Sequence, residues 1–238
     1  MILDPNTLRT DLEKLEEIEK ATIRLVTQAI YDFRDKAMDI FLTEQDKEGD
    51  IGEDITREAL DLIGVSKIPI RLTGKIDYKR ARYVFHPEYS VRQALFVDSK
   101  TEKEARTATL QTAQTSMRIR HIRTGRTVNE PGTLPPVLVK EDGPYLTTTI
   151  FVKYSYRRTP GEARNQLVNI IVAALPNGML QSRYNPDATD TIWLAGRNAE
   201  TRGEAFRVRL SFSLLKSKAS WRVQQIQLYP TVEFNWSN

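Results

Sequence analysis

The stretch ALFVDSK, residues 94 to 100, decides how this sequence is interpreted. Its first four residues are apolar, as expected of a strand inside a sheet, but it ends on Asp98 and Lys100. Alternate side chains of a strand point to the same face, so these two charges share one face and Ser99 points to the other. A buried charge is costly unless it is paired or holds a metal ion. The stretch therefore indicates either an ion pair at the end of a strand or part of a metal site.

The composition argues against several kinds of site. The 238 residues include no cysteine and two histidines, His86 and His121, which disfavours disulfides, thiol chemistry and histidine-rich metal sites. The sequence has no apolar run long enough to cross a membrane and no apolar secretion signal. We therefore expect a soluble cytoplasmic protein with one domain, residues 1 to 238.

Basic residues are unevenly distributed, although the net charge is only +4. Residues 1 to 63 are rich in acidic side chains, whereas arginines recur in clusters from Arg71 onward. Such an asymmetry suits a partner that carries phosphates, and a solvated surface would explain much of it as well.

Helical spacing of apolar residues dominates the first quarter of the chain. After Pro5 it predicts one long helix or two consecutive helices up to about residue 43. A short helix is expected over DITREALDLIG, with Asp54 as its N-cap and Gly64 past its end. Residues 1 to 64 would thus form a helical N-terminal part.

From residue 70 the pattern changes to the alternation that is typical of strands. Two strands are expected around the turn at His86, and further strands lie within residues 145 to 174. Residues 70 to 174 would form a sheet that includes Asp98 and Lys100. Residues 176 to 210 are expected to form one segment, a long polar excursion up to residue 204 and the strand that follows it in AFRVRLSF, and a loop of that length tends to be functional.

Two local motifs lie between these strands. Thr101 and Glu104 match a capping box, which predicts a helix directly after Lys100. The segment MRIRHIRTGRTV resembles a hairpin that turns at Thr124 and Gly125.

A second carboxylate, Asp77, would allow the charged pair to take part in catalysis. Asp77 would lie on the strand next to Asp98, so two carboxylates and Lys100 would converge. Two aspartates that share one Mg²⁺ are suited to phosphodiester hydrolysis, with the lysine stabilising charge or orienting the attacking water. Another register remains open, because Asp77-Tyr78-Lys79 shows the same Asp-x-Lys pattern with these upstream partners: Asp54, Glu58 and Asp61.

Several motifs in this order and spacing resemble the type II restriction endonucleases of the PD-(D/E)XK superfamily, and among them the group of SfiI and BglI. The motifs are EDIT at 53 to 56, IDYKR at 76 to 80, VDSK at 97 to 100, TTTIFV at 147 to 152, RYNPD at 183 to 187, and RGE at 202 to 204 followed by Arg207 and Arg209. Ile76 stands where the superfamily pattern has proline. The resemblance implies an α/β fold with a mixed central sheet flanked by helices.

The resemblance also implies roles for single residues. Asp77 and Asp98 would bind Mg²⁺, Lys100 would be the catalytic lysine, and Ser99 would contribute its backbone carbonyl. Glu53 resembles a further glutamate that such enzymes often direct at the site, and it is equally well explained as an acid near a helix N-terminus.

The implied substrate is double-stranded DNA, cut at an interrupted, G·C-rich palindrome to leave 5′-phosphate and 3′-hydroxyl ends. A palindrome calls for two-fold symmetry, so a homodimer or a homotetramer is expected. The N-terminal helices would contribute to that interface or belong to the core.

Arginine is the best reader of guanine, and acidic side chains can accept from cytosine. The excursion and the strand after it supply a set suited to G·C pairs: Arg183, Asn185, Asp187, Arg197, Asn198, Arg202, Glu204 and Arg207. Arg118 and Arg120 of the expected hairpin suit contacts with phosphates.

Two other functions would use the same residues. A repair or junction nuclease of the same superfamily would share the carboxylates and the lysine but would not need the base-reading set. A non-catalytic DNA-binding module would hold the acid pair for structural reasons, and it would bind DNA without Mg²⁺ and never cut it.

Overall fold

Three helices precede the first strands in the computed structural model, which describes residues 2–43, 48–62, 81–101, 106–158, 165–196 and 206–238. The helices there are α1 (Leu12–Asp32), α2 (Arg34–Thr43), α3 (Glu48–Asp61), α4 (Gln181–Tyr184) and α5 (Phe212–Lys218). The strands are β1 (Ala81–Phe85), β2 (Arg92–Thr101), β3 (Thr107–Leu110), β4 (Ile119–Arg123), β5 (Arg126–Glu130), β6 (Val137–Lys140), β7 (Gly143–Arg158), β8 (Asn165–Leu175), β9 (Trp193–Ala195), β10 (Val208–Ser211) and β11 (Val223–Gln227). None of the helices in these residues is long and apolar enough to cross a membrane.

A mixed sheet forms the centre of the described structure. Its strand order is β1-β2-β7-β8-β11, with β6 also paired to β7. Strands β2 and β7 run parallel, whereas the other pairs are antiparallel. The sheet is buried on both faces, which explains why β7 and β8 are apolar along most of their length. The predicted α/β fold with a mixed central sheet and flanking helices is confirmed.

Two hydrophobic cores lie on opposite faces of this sheet. The first core joins Phe151 and Ile171 to α5 and to the start of α1. The second core joins Ile150 and Val152 to α2, α3 and the end of α1. Side chains alternate between the two faces along β2 as they do along β7. Each side chain near the end of β2 therefore points to the face of the first core or to the face of the second core.

A second, smaller sheet packs on the first core, in the order β3-β10-β9. A separate hairpin of β4 and β5 turns at Thr124 and Gly125, whose φ angles are 44° and 77°. Positive φ at both central positions matches the right-handed twist of a two-residue hairpin. The predicted hairpin is thus confirmed.

The N-terminal part contains two consecutive helices before residue 44, as the spacing predicted. The Asp11 side chain caps α1 by accepting from the Lys14 amide, while Pro5 starts a separate 3-10 turn. The N-cap predicted at Asp54 is wrong, because α3 already begins at Glu48 and Asp54 lies inside it. An acidic residue before an apolar run is a local signal, and it also occurs on the exposed face of a helix.

The helix predicted after Lys100 is also wrong where the structure describes it. Strand β2 continues through Thr101, and β3 follows at Thr107 in register with Ser211 of β10. Pairing with a strand that comes about a hundred residues later overrides the local capping signal. The excursion is only partly a loop, because Tyr184 and Trp193 are buried in the first core and β9 pairs with β10.

Candidate active site

The charged pair that ends β2 is formed as the alternation predicted. The Nζ atom of Lys100 lies 2.8 Å from Oδ2 of Asp98. Asp98 is 5% exposed, whereas the Lys100 side chain is 24% exposed. Asp98 is in register with Phe151 of β7, so the pair lies on the face of the first core. A nearly buried carboxylate with an adjacent ammonium at a strand end can bind a cation and a phosphate oxygen side by side.

Ser99 points to the opposite face, where it forms a hydrogen bond to α3. Its hydroxyl donates to Oγ1 of Thr56 on α3 at 2.7 Å, and Thr56 also contacts the Tyr154 hydroxyl at 2.8 Å. Thr56 itself donates to the Gly52 carbonyl at 2.9 Å. Thr56 has one donor and two lone pairs, so all three contacts are satisfied if Ser99 and Tyr154 donate. Burial raises the pKa of Tyr154, which keeps that hydroxyl protonated. The network fastens α3 to the strand that carries the pair.

Gly52 allows α3 to lie directly on the end of β2. A Cβ atom at this position would lie 2.5 Å from Oγ1 of Thr101 and 3.2 Å from Cδ2 of Tyr154. Glu53 is the next residue and is half-buried. This turn of α3 thus lies next to the end of β2, on the face that carries Ser99.

Asp77 lies outside the described residues, four positions before Ala81 at the start of β1. Strand β1 pairs with β2 as predicted, with Ala81 in register with Phe96. The upstream acids of the alternative register lie in surface ion pairs within the described residues: Asp54 with Arg57, Glu58 with Lys36, and Asp61 with Arg82. These exposed pairings test neither that register nor the position of Asp77, because surface ion pairs contribute little and are easily replaced.

Lys153 was missed by the sequence reasoning. It is in register with Lys100 on the neighbouring strand, is 0% exposed, and donates from Nζ to the Thr107 carbonyl. The signal was present in TTTIFVKYSY, where a lysine interrupts an apolar run just as Asp98 and Lys100 do.

Asn185 lies in the interior rather than on a DNA-facing surface. Its Oδ1 accepts from the Arg120 amide at 2.9 Å and from Nε1 of Trp193 at 3.1 Å. Its Nδ2 donates to the carbonyls of Arg120 at 3.0 Å and Asp187 at 2.7 Å. The amide is 0% exposed and uses both donors and both acceptor positions within the protein. Its role in this structure is to join β4 to the segment after α4 and to β9.

Replacing Asn185 with alanine should destabilise the fold. The buried Arg120 amide and the Trp193 indole would each lose an acceptor, at about 1 to 3 kcal/mol per group. We expect urea unfolding to give a free energy of unfolding about 2 to 4 kcal/mol lower than that of the native protein. Asn129→Ala is the control, because that amide is exposed and accepts from Arg118 at the surface. Equal stability of the two variants would contradict the joining role of Asn185.

The other residues expected to read bases divide into two groups. Arg183 forms ion pairs with Glu13 and Glu16 of α1. The Asp187 carboxylate accepts from the Asp190 amide and from Thr189, contacts that lower its pKa to about 2. Both side chains thus form contacts within the protein itself. Four members lie outside the described residues: Arg197, Asn198, Arg202 and Glu204.

Three arginines remain at or near the surface. Arg207 is half-buried directly before β10. Arg118 is exposed and donates to Oδ1 of Asn129 at 3.2 Å, whereas half-buried Arg120 donates to the Pro186 carbonyl. Arg118 is the one of these most accessible to a phosphate.

Comparisons with known proteins relate this chain to type II restriction enzymes. The family model of the type II restriction enzyme SfiI matches residues 32–226. The type II restriction enzyme SfiI of Streptomyces fimbriatus is 36% identical over 236 residues, which cover 94% of this chain and 88% of the relative. The crystal structure of tetrameric restriction endonuclease SfiI bound to cognate DNA superposes with a TM-score of 0.85 at 34% identity, over 98% of this chain and 91% of that chain.

A more distant structure shares the fold. The crystal structure of the restriction endonuclease BglI bound to its DNA recognition sequence superposes with a TM-score of 0.76 at 18% identity, over 94% of each chain. The family model covers most of the residues that build the central sheet and the Asp98 to Lys100 strand end. The chain therefore belongs to the SfiI family of type II restriction enzymes, which are site-specific deoxyribonucleases.

Proposed function

We propose that this enzyme hydrolyses phosphodiester bonds of double-stranded DNA with Mg²⁺, at an interrupted, G·C-rich palindrome, and leaves 5′-phosphate and 3′-hydroxyl ends. The observation that carries the proposal is the Asp98 and Lys100 pair, 2.8 Å apart at the end of β2. The relative SfiI, crystallised as a tetramer with its cognate DNA, supports DNA as the substrate. We place this activity in the cytoplasm, where a cell's DNA and invading DNA are both accessible.

The donor set suits a hard divalent cation. Asp77 and Asp98 would hold the ion through carboxylate oxygens, with the Ser99 carbonyl and Glu53 as further oxygen donors. Within the described residues no group of three acidic or histidine side chains could hold a metal. The proposed site includes Asp77, which lies outside those residues. When bound there, Mg²⁺ would supply Lewis acidity and lower the pKa of a coordinated water.

The remaining groups of the chain have separate tasks. The Lys100 ammonium is held beside Asp98 and is partly exposed, so it can reach a phosphate oxygen and stabilise the negative charge that develops on it. It can also orient the attacking water. The Ser99 hydroxyl is engaged with Thr56, which leaves the backbone of Ser99 as its contribution to the site.

Digestion of a sequenced phage DNA with Mg²⁺ tests the proposal directly. We expect discrete fragments whose ends map to one interrupted palindrome and join with DNA ligase without prior phosphorylation. A smear of fragments would favour a repair nuclease, and binding without cleavage would favour a non-catalytic module. Ends that require a kinase before ligation would contradict the proposed 5′-phosphate.

Base reading and phosphate binding should be separable by mutation. If Arg207 reads guanine, Arg207→Ala should cost about 1 to 3 kcal/mol at the specific site and relax discrimination at one base pair. Arg118→Ala should weaken binding to all sequences alike and reduce the slope of log K against log salt by about one unit. Titration of cognate and single-mismatch duplexes with Ca²⁺ at several salt concentrations measures both effects. An equal loss of cognate and mismatched affinity in Arg207→Ala would remove Arg207 from the reading set.

A palindromic target requires at least two subunits, and we propose a homodimer or a homotetramer on that ground. The apolar side of α1 is buried in the two cores of its own subunit. An interface at α1 would therefore have to use its polar side. Sedimentation analysis with and without cognate DNA distinguishes the two assemblies.

A further inference from the structure

Lys153 is a buried cation beside the candidate active site. It lies on β7 in register with Lys100 on β2. Because neighbouring strands are about 4.8 Å apart, the two lysine side chains start side by side on the same face of the sheet. Lys153 is 0% exposed, whereas the Lys100 side chain is 24% exposed. Lys153 therefore cannot touch DNA, and a buried ammonium is costly unless it is used within the protein.

The ammonium of Lys153 fixes the start of β3. It donates to the Thr107 carbonyl, and the Phe212 ring centroid lies 6.0 Å from Nζ. The Phe212 amide also donates to the Arg106 carbonyl at 3.2 Å. These contacts hold the chain where it enters the second sheet, directly after the strand that carries Asp98 and Lys100.

Thr107 is also the first residue on the polar face of the second sheet. Ala108 and Leu110 of β3 and Val208 and Leu210 of β10 belong to the first core, so Thr107 and Arg209 point to the other face. There Nη1 of Arg209 donates to Oγ1 of Thr107 at 3.0 Å. Thr107 thus accepts from Arg209 with its side chain and from Lys153 with its carbonyl.

We propose that Lys153 is a positioning residue that couples the polar face of β3 and β10 to the strand that carries Asp98 and Lys100. Arg209 is joined to Thr107 by a hydrogen bond, and Lys153 joins Thr107 to the strand next to β2. The inference rests on the proposed roles of Asp98 and Lys100. It concerns the rate of cleavage rather than the affinity for DNA.

Two substitutions test this coupling. Lys153→Met keeps the aliphatic stem and removes the ammonium, and Thr107→Val keeps the shape and removes only the hydroxyl. We expect single-turnover cleavage of a cognate duplex to fall by about 10- to 100-fold in Lys153→Met, because a small misplacement near the site has effects of that size. Thr107→Val should cleave about fivefold more slowly, as the loss of one hydrogen bond predicts. Affinity for the same duplex with Ca²⁺ should change less than about threefold in both.

Lys216→Met is the matched control, since Lys216 is exposed on α5. Variants that melt at lower temperature but cleave at the control's rate would show that Lys153 is only structural and would overturn the proposal. Equal losses of affinity and rate would also overturn it. If Lys153→Met does not fold, Thr107→Val decides the matter by the same criteria. Cleavage by Asp98→Ala would refute the proposed site itself, whereas an inactive Asp98→Ala with a normal Lys153→Met refutes only the coupling.

Discussion

An Asp98→Ala enzyme is expected to bind its specific duplex and to leave it uncut. The substitution removes a carboxylate that is 5% exposed at the end of β2 and is a proposed metal ligand. Lewis-acid stabilisation is worth several kcal/mol, so the cleavage rate should fall by at least about 10⁴-fold. Binding with Ca²⁺ should stay within about tenfold of the native value, because the surfaces that contact DNA are retained. Gel shift and single-turnover cleavage of the same labelled duplex measure both quantities.

Two further variants make this result specific. Asp98→Asn preserves the shape of the side chain and should be equally inactive, which excludes a packing defect as the cause. Asp39→Ala removes an exposed carboxylate on α2 and should cleave normally. Cleavage by Asp98→Ala at a normal rate would instead revive the register of Asp77 with Lys79.

Lys100→Ala is expected to lower turnover by at least about 10²-fold, the lower end of what a positioned charge-stabilising or proton-transferring group contributes. The ammonium lies 2.8 Å from Oδ2 of Asp98 and is partly exposed, so it is available to a phosphate oxygen. Because the effect is on the transition state, kcat should fall more than KM rises. Steady-state kinetics on a short cognate duplex with Mg²⁺ provides both constants.

The control for charge loss is Lys216→Ala, on the exposed side of α5. Lys100→Arg retains a positive charge with different geometry and should recover only part of the rate, since a guanidinium is bulkier and planar. A change in turnover of less than about threefold in Lys100→Ala would leave that lysine as the ion-pair partner of Asp98 alone.

The pairing of Asp98 with Lys100 could be predicted because its signal is local. Alternation along an extended chain fixes which residues share a face, so Asp98 and Lys100 could be placed together and Ser99 apart from the sequence alone. The same rule applied to TTTIFVKYSY would have drawn attention to Lys153, whose position beside Lys100 depends on the register of β2 with β7. Register between distant strands is not visible in one sequence.

The errors arose where a local signal competed with distant contacts. Thr101 and Glu104 look like a helix start, but the following residues pair with β10, which belongs to a remote part of the chain. Asn185 looks exposed because asparagine usually is, and its burial depends on Arg120 and Trp193. The position of Asp77 stays a prediction, since Asp77 lies outside the residues that the structure describes.

The parallel pairing of β2 with β7 bears on how the enzyme is made in a cell. Residues 93–101 of β2 pair with residues 146–154 of β7, so this contact closes a long loop of chain. Contacts between distant segments form late in folding, and an emerging polypeptide cannot form them before the second segment has left the ribosome. An unfinished chain therefore carries Asp98 and Lys100 without the strand that holds them in place. We therefore expect Asp98 and Lys100 to be held in place only in chains whose synthesis has passed β7.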